Sequence, residues 1–342
     1  MVFLVIIFLA SMALCYMETG ALLKILRKRN MVDIPNERSN HKAPTPRGGG
    51  ISVVDTMLFG GILMLVLFGS GPSSLAEFWP FFLALVAIAA VSFWDDLKGA
   101  PITARLGAQV FAAILSVPKV QNFGLVFQGL LPPTLDGLLV AILWVWGMNL
   151  YNFMDGIDGI TGSETASIAF GLAGIFLFAP NLPEAFGTWC VVILGAIIGF
   201  LKWNWHPAKL FLGDVGSVSL GFVLFGMLFI LAAHGLWEAA LLLPGYYLAD
   251  SGITLIRRAK RGEKIWQAHS QHFYQQAVRR GATPPQVVFS ILLSNAVLIL
   301  LAWRTAAVDS SATKLFLLML GVIETLVLLW YLARRFPENK SE

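Results

Sequence analysis

Residues 136–159, DGLLVAILWVWGMNLYNFMDGIDG, decide how the rest of the chain is read. Positions 136 to 154 are almost wholly apolar, and a helix of that length crosses a hydrocarbon core with some tilt. The run then meets Asp155 and Asp158, placed where a carboxylate is costly unless a cation or partner meets it. Two other apolar segments are bounded in the same way. Asp95 and Asp96 close one in SFWDDLKG, and Asp214 opens another in KLFLGDVGS.

Outward from this stretch the pattern repeats. The 342 residues are 57% hydrophobic and 13% charged, too much apolar surface for one soluble core, which excludes a soluble globule. Apolar segments lie near 2–23, 50–70, 79–94, 104–118, 136–154, 162–179, 185–201, 214–233, 238–256, 286–304 and 314–333. The expected fold is all-α, a polytopic transmembrane helical bundle of about eleven spans, or ten if the fourth and weakest segment does not cross. No repeat or soluble domain interrupts it, so residues 1–342 read as one integral membrane domain.

The first segment lacks a basic start and is followed by Lys24, Arg27, Lys28 and Arg29, so it reads as a retained span with its N-terminus outside, not as a cleaved leader. In that orientation the loops near 24–49, 95–105, 155–162, 202–214 and 257–285 and the C-terminus face the cytosol. They and the short flanks beside them hold 21 of the 24 Lys and Arg, leaving Lys119, Arg304 and Lys314 outside. The net charge of +4 then reports topology and anionic lipid or phosphate neighbours, with no call for nucleic acid. Cys15 and Cys190 both fall inside spans, which argues against a disulfide. Residues 119–135 suggest a short hairpin.

All five aspartates then converge on the cytosolic face. Adjacent carboxylates such as Asp95 and Asp96 repel unless a cation or proton intervenes, and Lys98 and Arg105 follow them with charge suited to phosphate. Asn149, Asn152 and Asp155, three apart, would share a helix face with the oxygen donors a hard cation prefers. In HKAPTPRGGG, prolines enforce extended backbone and three glycines permit close approach of amides, a turn able to cradle an anion before a helix. Asp214, flanked by glycines, is also free to serve as a plain N-cap. His269 and His272 are one turn apart, too poorly supplied with further ligands for zinc but suited to a diphosphate; a surface basic helix explains the segment equally well. Asp250 reads as facing the site, and Glu324 in the last span has no account.

Taken in order, HKAPTPRGGG, DDLKGAPITAR, NLYNFMDGIDG, HPAKLFLGDVGS and the AHSQH loop resemble the polyprenyl-phosphate N-acetylhexosamine-1-phosphate transferase family. The resemblance runs from about residue 38 to 280. It implies that a UDP-linked amino sugar gives its sugar phosphate to undecaprenyl phosphate in the bacterial inner membrane, releasing UMP. By position, Asn152 and Asp214 would hold magnesium, or alternatively manganese. Asp95 and Asp96 would sit at the lipid phosphate as base and orienters, and Asp155 and Asp158, with Asn204, at the metal and nucleoside side. Lys42, Arg47, Lys98 and Arg105 would neutralise phosphates, and His269 and His272 would reach the sugar and diphosphate. The histidine loop departs from the triple-histidine pattern of the peptidoglycan translocase, phospho-N-acetylmuramoyl-pentapeptide transferase, and is closer to enzymes that begin O-antigen-like polysaccharides. That translocase remains the alternative, and a homodimer is left open. An intramembrane prenyltransferase needs aspartate spacings absent here, and a transporter needs its ionisable groups near the midplane.

Overall fold

A computed structural model of the chain describes residues 1–29, 31–33, 44–264 and 269–334. It is an all-α polytopic membrane bundle. In chain order the helices are α1 (Val2–Lys28), α2 (Gly50–Phe68), α3 (Leu75–Lys98), α4 (Ile102–Gln121), α5 (Pro133–Phe153), α6 (Ile160–Phe178) and α7 (Glu184–Asn204). They continue as α8 (Asp214–Ala233), α9 (Trp237–Leu242), α10 (Gly245–Lys260), α11 (Phe273–Arg279), α12 (Pro284–Ala306) and α13 (Ser311–Arg334). Among the described residues nine of these are long and apolar enough to cross a membrane; α4, α9, α10 and α11 are not among them.

Two expected spans therefore differ from their reading. Residues 104–118 do form a helix, but one interrupted by polar side chains. Residues 238–256 are broken at Leu243–Pro244, because proline lacks the N–H that an unbroken helix needs there. In place of the expected hairpin at 119–135, α4 runs on to Gln121, turns occupy 122–132 and α5 begins at Pro133. There Asp136 accepts the Phe127 amide at 2.9 Å and draws the Gln121 amide to 3.4 Å.

At the centre stands α8, buried along its whole span and surrounded by α2, α3, α4, α5 and α6. Lipid is as apolar as leucine, so close approach and shape, not hydrophobicity, select which helix is enclosed. At Gly50 an added Cβ would lie 2.3 Å from the Cα of Gly216, which sets how tightly the starts of α2 and α8 meet. Deeper in, Phe81 and Trp144 pack on Phe222 with centroids 4.5 and 5.2 Å away, and Trp144 donates its indole N–H to the Phe222 carbonyl at 2.8 Å.

Two carboxylates within the apolar helices are paired across them. Asn295 of α12 donates to Glu164 of α6 at 2.6 Å, and its neighbour Ser294 donates to Glu324 of α13 at 2.6 Å. Glu324, unexplained by sequence, is thus one end of an interhelical link.

Candidate active site

The alternation of helix directions brings the ends of α3, α5 and α7 and the starts of α2, α4, α6 and α8 together, and with them the five aspartates. Two short strands precede α2, β1 (Val32–Asp33) and β2 (Thr45–Pro46), paired antiparallel. Beyond β2, Arg47 bridges to Phe211, whose amide donates to the Pro46 carbonyl at 2.8 Å. This fastens Arg47 beside the segment that leads into α8.

Asp95 and Asp96 are neighbours in sequence but face different ways. The Asp96 side chain is fully buried and accepts the amides of Asp214 at 2.9 Å and Val215 at 3.0 Å, so it caps α8 from another helix. Arg47 Nε meets the same carboxylate at 2.8 Å, while its Nη2 is hydrogen-bonded to Asp214. The close fit explains Gly213. Its φ of +76° is open to glycine, and an added Cβ would come 2.6 Å from Asp96 Oδ2. Asp214 is therefore not its own helix's cap. Asp95 instead accepts the Ala100 amide at 2.6 Å and Arg105 at 2.9 Å, and Arg105 lies 3.9 Å from Asp214.

Asp95 and Asp214 come within hydrogen-bonding reach of each other, with Asn152 against Asp214 and donating to Ser217 at 3.0 Å. Two carboxylates this close need a cation or a proton between them, and the surrounding donors are hard oxygens, so the set fits a magnesium-like ion. Among the described residues no group of three His, Cys, Asp or Glu side chains is arranged as a metal site; the Asn152 amide oxygen is a further hard donor beside Asp214. Asn149 does not join this face. It pairs with Gln109 of α4 at 2.7 Å, while Asp155 lies past the end of α5.

Burial pushes the Asp155 carboxyl up to about 7, against Thr161 and Arg47, which pull it down. Asp158 turns the other way, accepting His206 Nδ1 at 2.7 Å and the Ala208 amide at 3.0 Å. Asn204 is buried with both ends of its amide spent, accepting from Gly159 at 3.1 Å and donating to the Leu210 carbonyl at 3.0 Å. It acts as a clamp between two loops, and its place in any substrate site is through the backbone it holds.

The glycine turn is also not an anion cradle. Gly49 and Gly50 donate to Phe211 and Leu212 at 2.9 and 2.7 Å, and Ile51 and Ser52 donate back into the turn, so these amides are committed. Lys42 lies outside the described residues. Lys98 is exposed at the end of α3.

The histidines are organised by Asp250 on α10. This fully buried carboxylate accepts from Tyr246 at 3.0 Å, Thr254 at 3.3 Å, His272 Nδ1 at 3.0 Å and the Phe273 and Tyr274 amides at 3.1 and 3.4 Å. Tyr274 in turn donates to the Phe153 carbonyl at 3.1 Å, docking the segment on the end of α5. His269 stacks on His272 with centroids 4.8 Å apart, and neither Nε2 finds a partner among the described residues. Burial, then His272 and Arg258, lower His269 to about 4.

Sequence reading missed His206, Ser217 and Thr161, and it noticed Asp250 without its task. Nothing in the spacing of Asp158 and His206, 48 residues apart, marks them as partners.

Comparison with known proteins bears on the family of the chain. The sequence pattern described as glycosyl transferase family 4 matches residues 78–232, from α3 to the end of α8. The chain is 26% identical to the decaprenyl-phosphate N-acetylglucosaminephosphotransferase of Mycolicibacterium smegmatis over 379 aligned positions, covering 99% of this chain and 91% of that protein. It is 27% identical to the undecaprenyl-phosphate alpha-N-acetylglucosaminyl 1-phosphate transferase of Yersinia pestis, covering 86% and 81%. With the phospho-N-acetylmuramoyl-pentapeptide-transferase of Halalkalibacterium halodurans the identity is 29%, covering 69% and 76%.

Proposed function

The chain belongs to glycosyl transferase family 4, and from that premise we propose that it transfers an N-acetylhexosamine-1-phosphate from a UDP-sugar to undecaprenyl phosphate. The product is the first lipid-linked sugar of an O-antigen-like surface polysaccharide, and the site faces the cytosol of a bacterial inner membrane. The observation that carries the reading is the cluster at the start of α8, where Asp95, Asp214 and Asn152 meet between Arg47 and Arg105.

Phosphoryl transfer asks for in-line positioning and charge neutralisation more than covalent help. A lipid phosphate oxygen attacks the sugar-bearing phosphorus, the bond from that phosphorus to the bridging oxygen breaks, and UMP leaves with that oxygen. The anomeric carbon is untouched. Asp214 and Asn152, with Asp95 beside them, would hold a magnesium ion, which supplies Lewis-acid neutralisation of the diphosphate. Arg105 and the exposed Lys98 attract the lipid phosphate. Asp96 keeps α8 and Arg47 in place, a positioning task. Trp94, Leu97, Ile102 and Leu106, exposed and apolar beside Asp95 and Arg105, suit the isoprenoid neighbour of that phosphate. A lipid monophosphate is mostly dianionic at neutral pH, its second pKa being about 6, so no base is required.

Two of the relatives named above act with N-acetylglucosamine phosphate and align over most of both chains, which favours that donor class over a muramyl pentapeptide. Incubating purified protein with undecaprenyl phosphate and a panel of UDP-sugars tests the reading. UMP should appear with a UDP-N-acetylhexosamine and not with UDP-N-acetylmuramoyl-pentapeptide; the reverse preference would assign the chain to the peptidoglycan reaction.

A further inference from the structure

The HPAK turn after α7 carries a histidine that the reaction as described leaves unused. His206 is 42% exposed, whereas the carboxylate it meets, Asp158, is only 13% exposed. Asp158 Oδ2 accepts both His206 Nδ1 at 2.7 Å and the Ala208 amide at 3.0 Å. A carboxylate accepts, so Nδ1 carries the proton, and the ring is held with Nε2 outward and without a protein partner among the described residues. The anchorage is itself rigid. Asn204, two residues earlier, ties Gly159 to Leu210, so the turn bearing His206 and the turn bearing Asp155 and Asp158 move as one piece.

The two flanks of the acid cluster differ in kind. On the α3–α4 side, exposed Trp94, Leu97, Ile102 and Leu106 form an apolar border. On the α6–α7 side the border is polar, with exposed His206, Lys202 and Lys209, the last with its ammonium 5.8 Å from the Trp203 ring centroid. An isoprenoid substrate fits the first flank and a water-soluble anion the second. Asp155 and Asp158 are three positions apart, at most about 11 Å of chain, so the second flank is within reach of an extended ligand whose reacting phosphate lies at the cluster.

We propose that His206 binds the sugar-nucleotide donor, donating Nε2–H to its diphosphate while Nδ1–H stays on Asp158. The proposal rests on the sugar-nucleotide reading above and extends it to a residue outside the aspartate set. Asn and Gln separate binding from scaffolding, since an Asn amide nitrogen falls near Nδ1 and a Gln amide nitrogen near Nε2. The test compares wild type, His206→Asn and His206→Gln for the donor and lipid KM values and for UDP binding by calorimetry. His206→Asn should keep the turn but weaken UDP and raise the donor KM about tenfold or more, as expected for a lost hydrogen bond to a charged group. His206→Gln should stay within about threefold, and the lipid KM should not move in either. The opposite order, with Asn equal to wild type and Gln impaired, would reduce His206 to a staple for Asp158 and overturn the proposal, as would two variants indistinguishable from wild type. A wild-type protein inactive with every UDP-sugar would strike the family reaction instead, and the UDP titration would still judge His206.

Discussion

At two places in this molecule an aspartate on one helix caps the start of another: Asp96 of α3 at α8, and Asp250 of α10 at α11. Both carboxylates are buried and both are spent on backbone amides, so both are scaffolding. Their surroundings diverge. Around Asp96 lie Arg47, Arg105 and two further carboxylates, a field made for phosphates and a cation. Around Asp250 lie Tyr246, Thr254 and two stacked imidazoles whose Nε2 atoms have no partner among the described residues, a field made for neutral polar groups. The lesson is that in each region one buried acid holds the backbone together and leaves its neighbours free for the role proposed for them.

The largest effect that would sharpen this contrast is at Asp214. Asp214→Ala should lower turnover at least about a thousandfold while the protein stays folded and inserted, because water cannot restore the position of a lost oxygen ligand. Activity within about tenfold of wild type would place the ion elsewhere.

Next comes the distinction between neighbours. Asp96→Ala removes a buried helix cap whose ion-pair partner Arg47 is partly exposed, and should destabilise by about 1–3 kcal/mol, read as a fall in thermal midpoint in detergent. Asp95→Asn should leave that midpoint close to wild type and lose activity by a factor nearly independent of pH between about 6 and 9, since the lipid phosphate needs no base. Recovery of its rate at alkaline pH would instead make Asp95 the base. For the second region, Asp250→Ala should release hydrogen-exchange protection across 269–279 while the start of α8 stays protected; joint loss would merge the two regions into one unit.

A smaller effect concerns Asp155. Its carboxyl is raised to about 7, so between roughly pH 4 and 7 the native chain binds a proton that the unfolded chain does not. That contribution is fully present below about pH 4 and is lost as pH rises through about 7. The thermal midpoint should decline across the window in wild type and more gently in Asp155→Asn. An identical slope in both would remove Asp155 as its source. Smallest of all, His269 is neutral above about 4, so the activity lost in His269→Gln should not change between about pH 6 and 8. A loss that grows toward the acid side would show a charged imidazole at work.

Much of this was legible in the chain. Apolar length gave the bundle, and acids at the span boundaries marked one end of it. What was hidden has physical causes. Successive residues on a helix point about 100° apart, so Asp95 and Asp96 read as one pair yet serve different partners. The glycines at 48–50 signal close approach, but sequence does not say whether the visitor is an anion or another helix; here it is Gly216. Pro244 is plain in the sequence, but the apolar run on both sides of it masks the break it makes in the ninth segment. The Asp158–His206 and Asp250–His272 pairs join distant segments with no periodic signal to announce them.

The cluster at the start of α8 is proposed to perform metal-assisted transfer of a sugar phosphate onto a lipid phosphate. The most direct measurement is UMP release by the purified protein with undecaprenyl phosphate and UDP-N-acetylglucosamine, with and without EDTA and with magnesium added back. The account predicts UMP formed in equal amount with lipid-linked sugar, abolished by EDTA and restored by magnesium. UMP release indifferent to EDTA, or lipid-linked sugar formed with UDP in place of UMP, would contradict it.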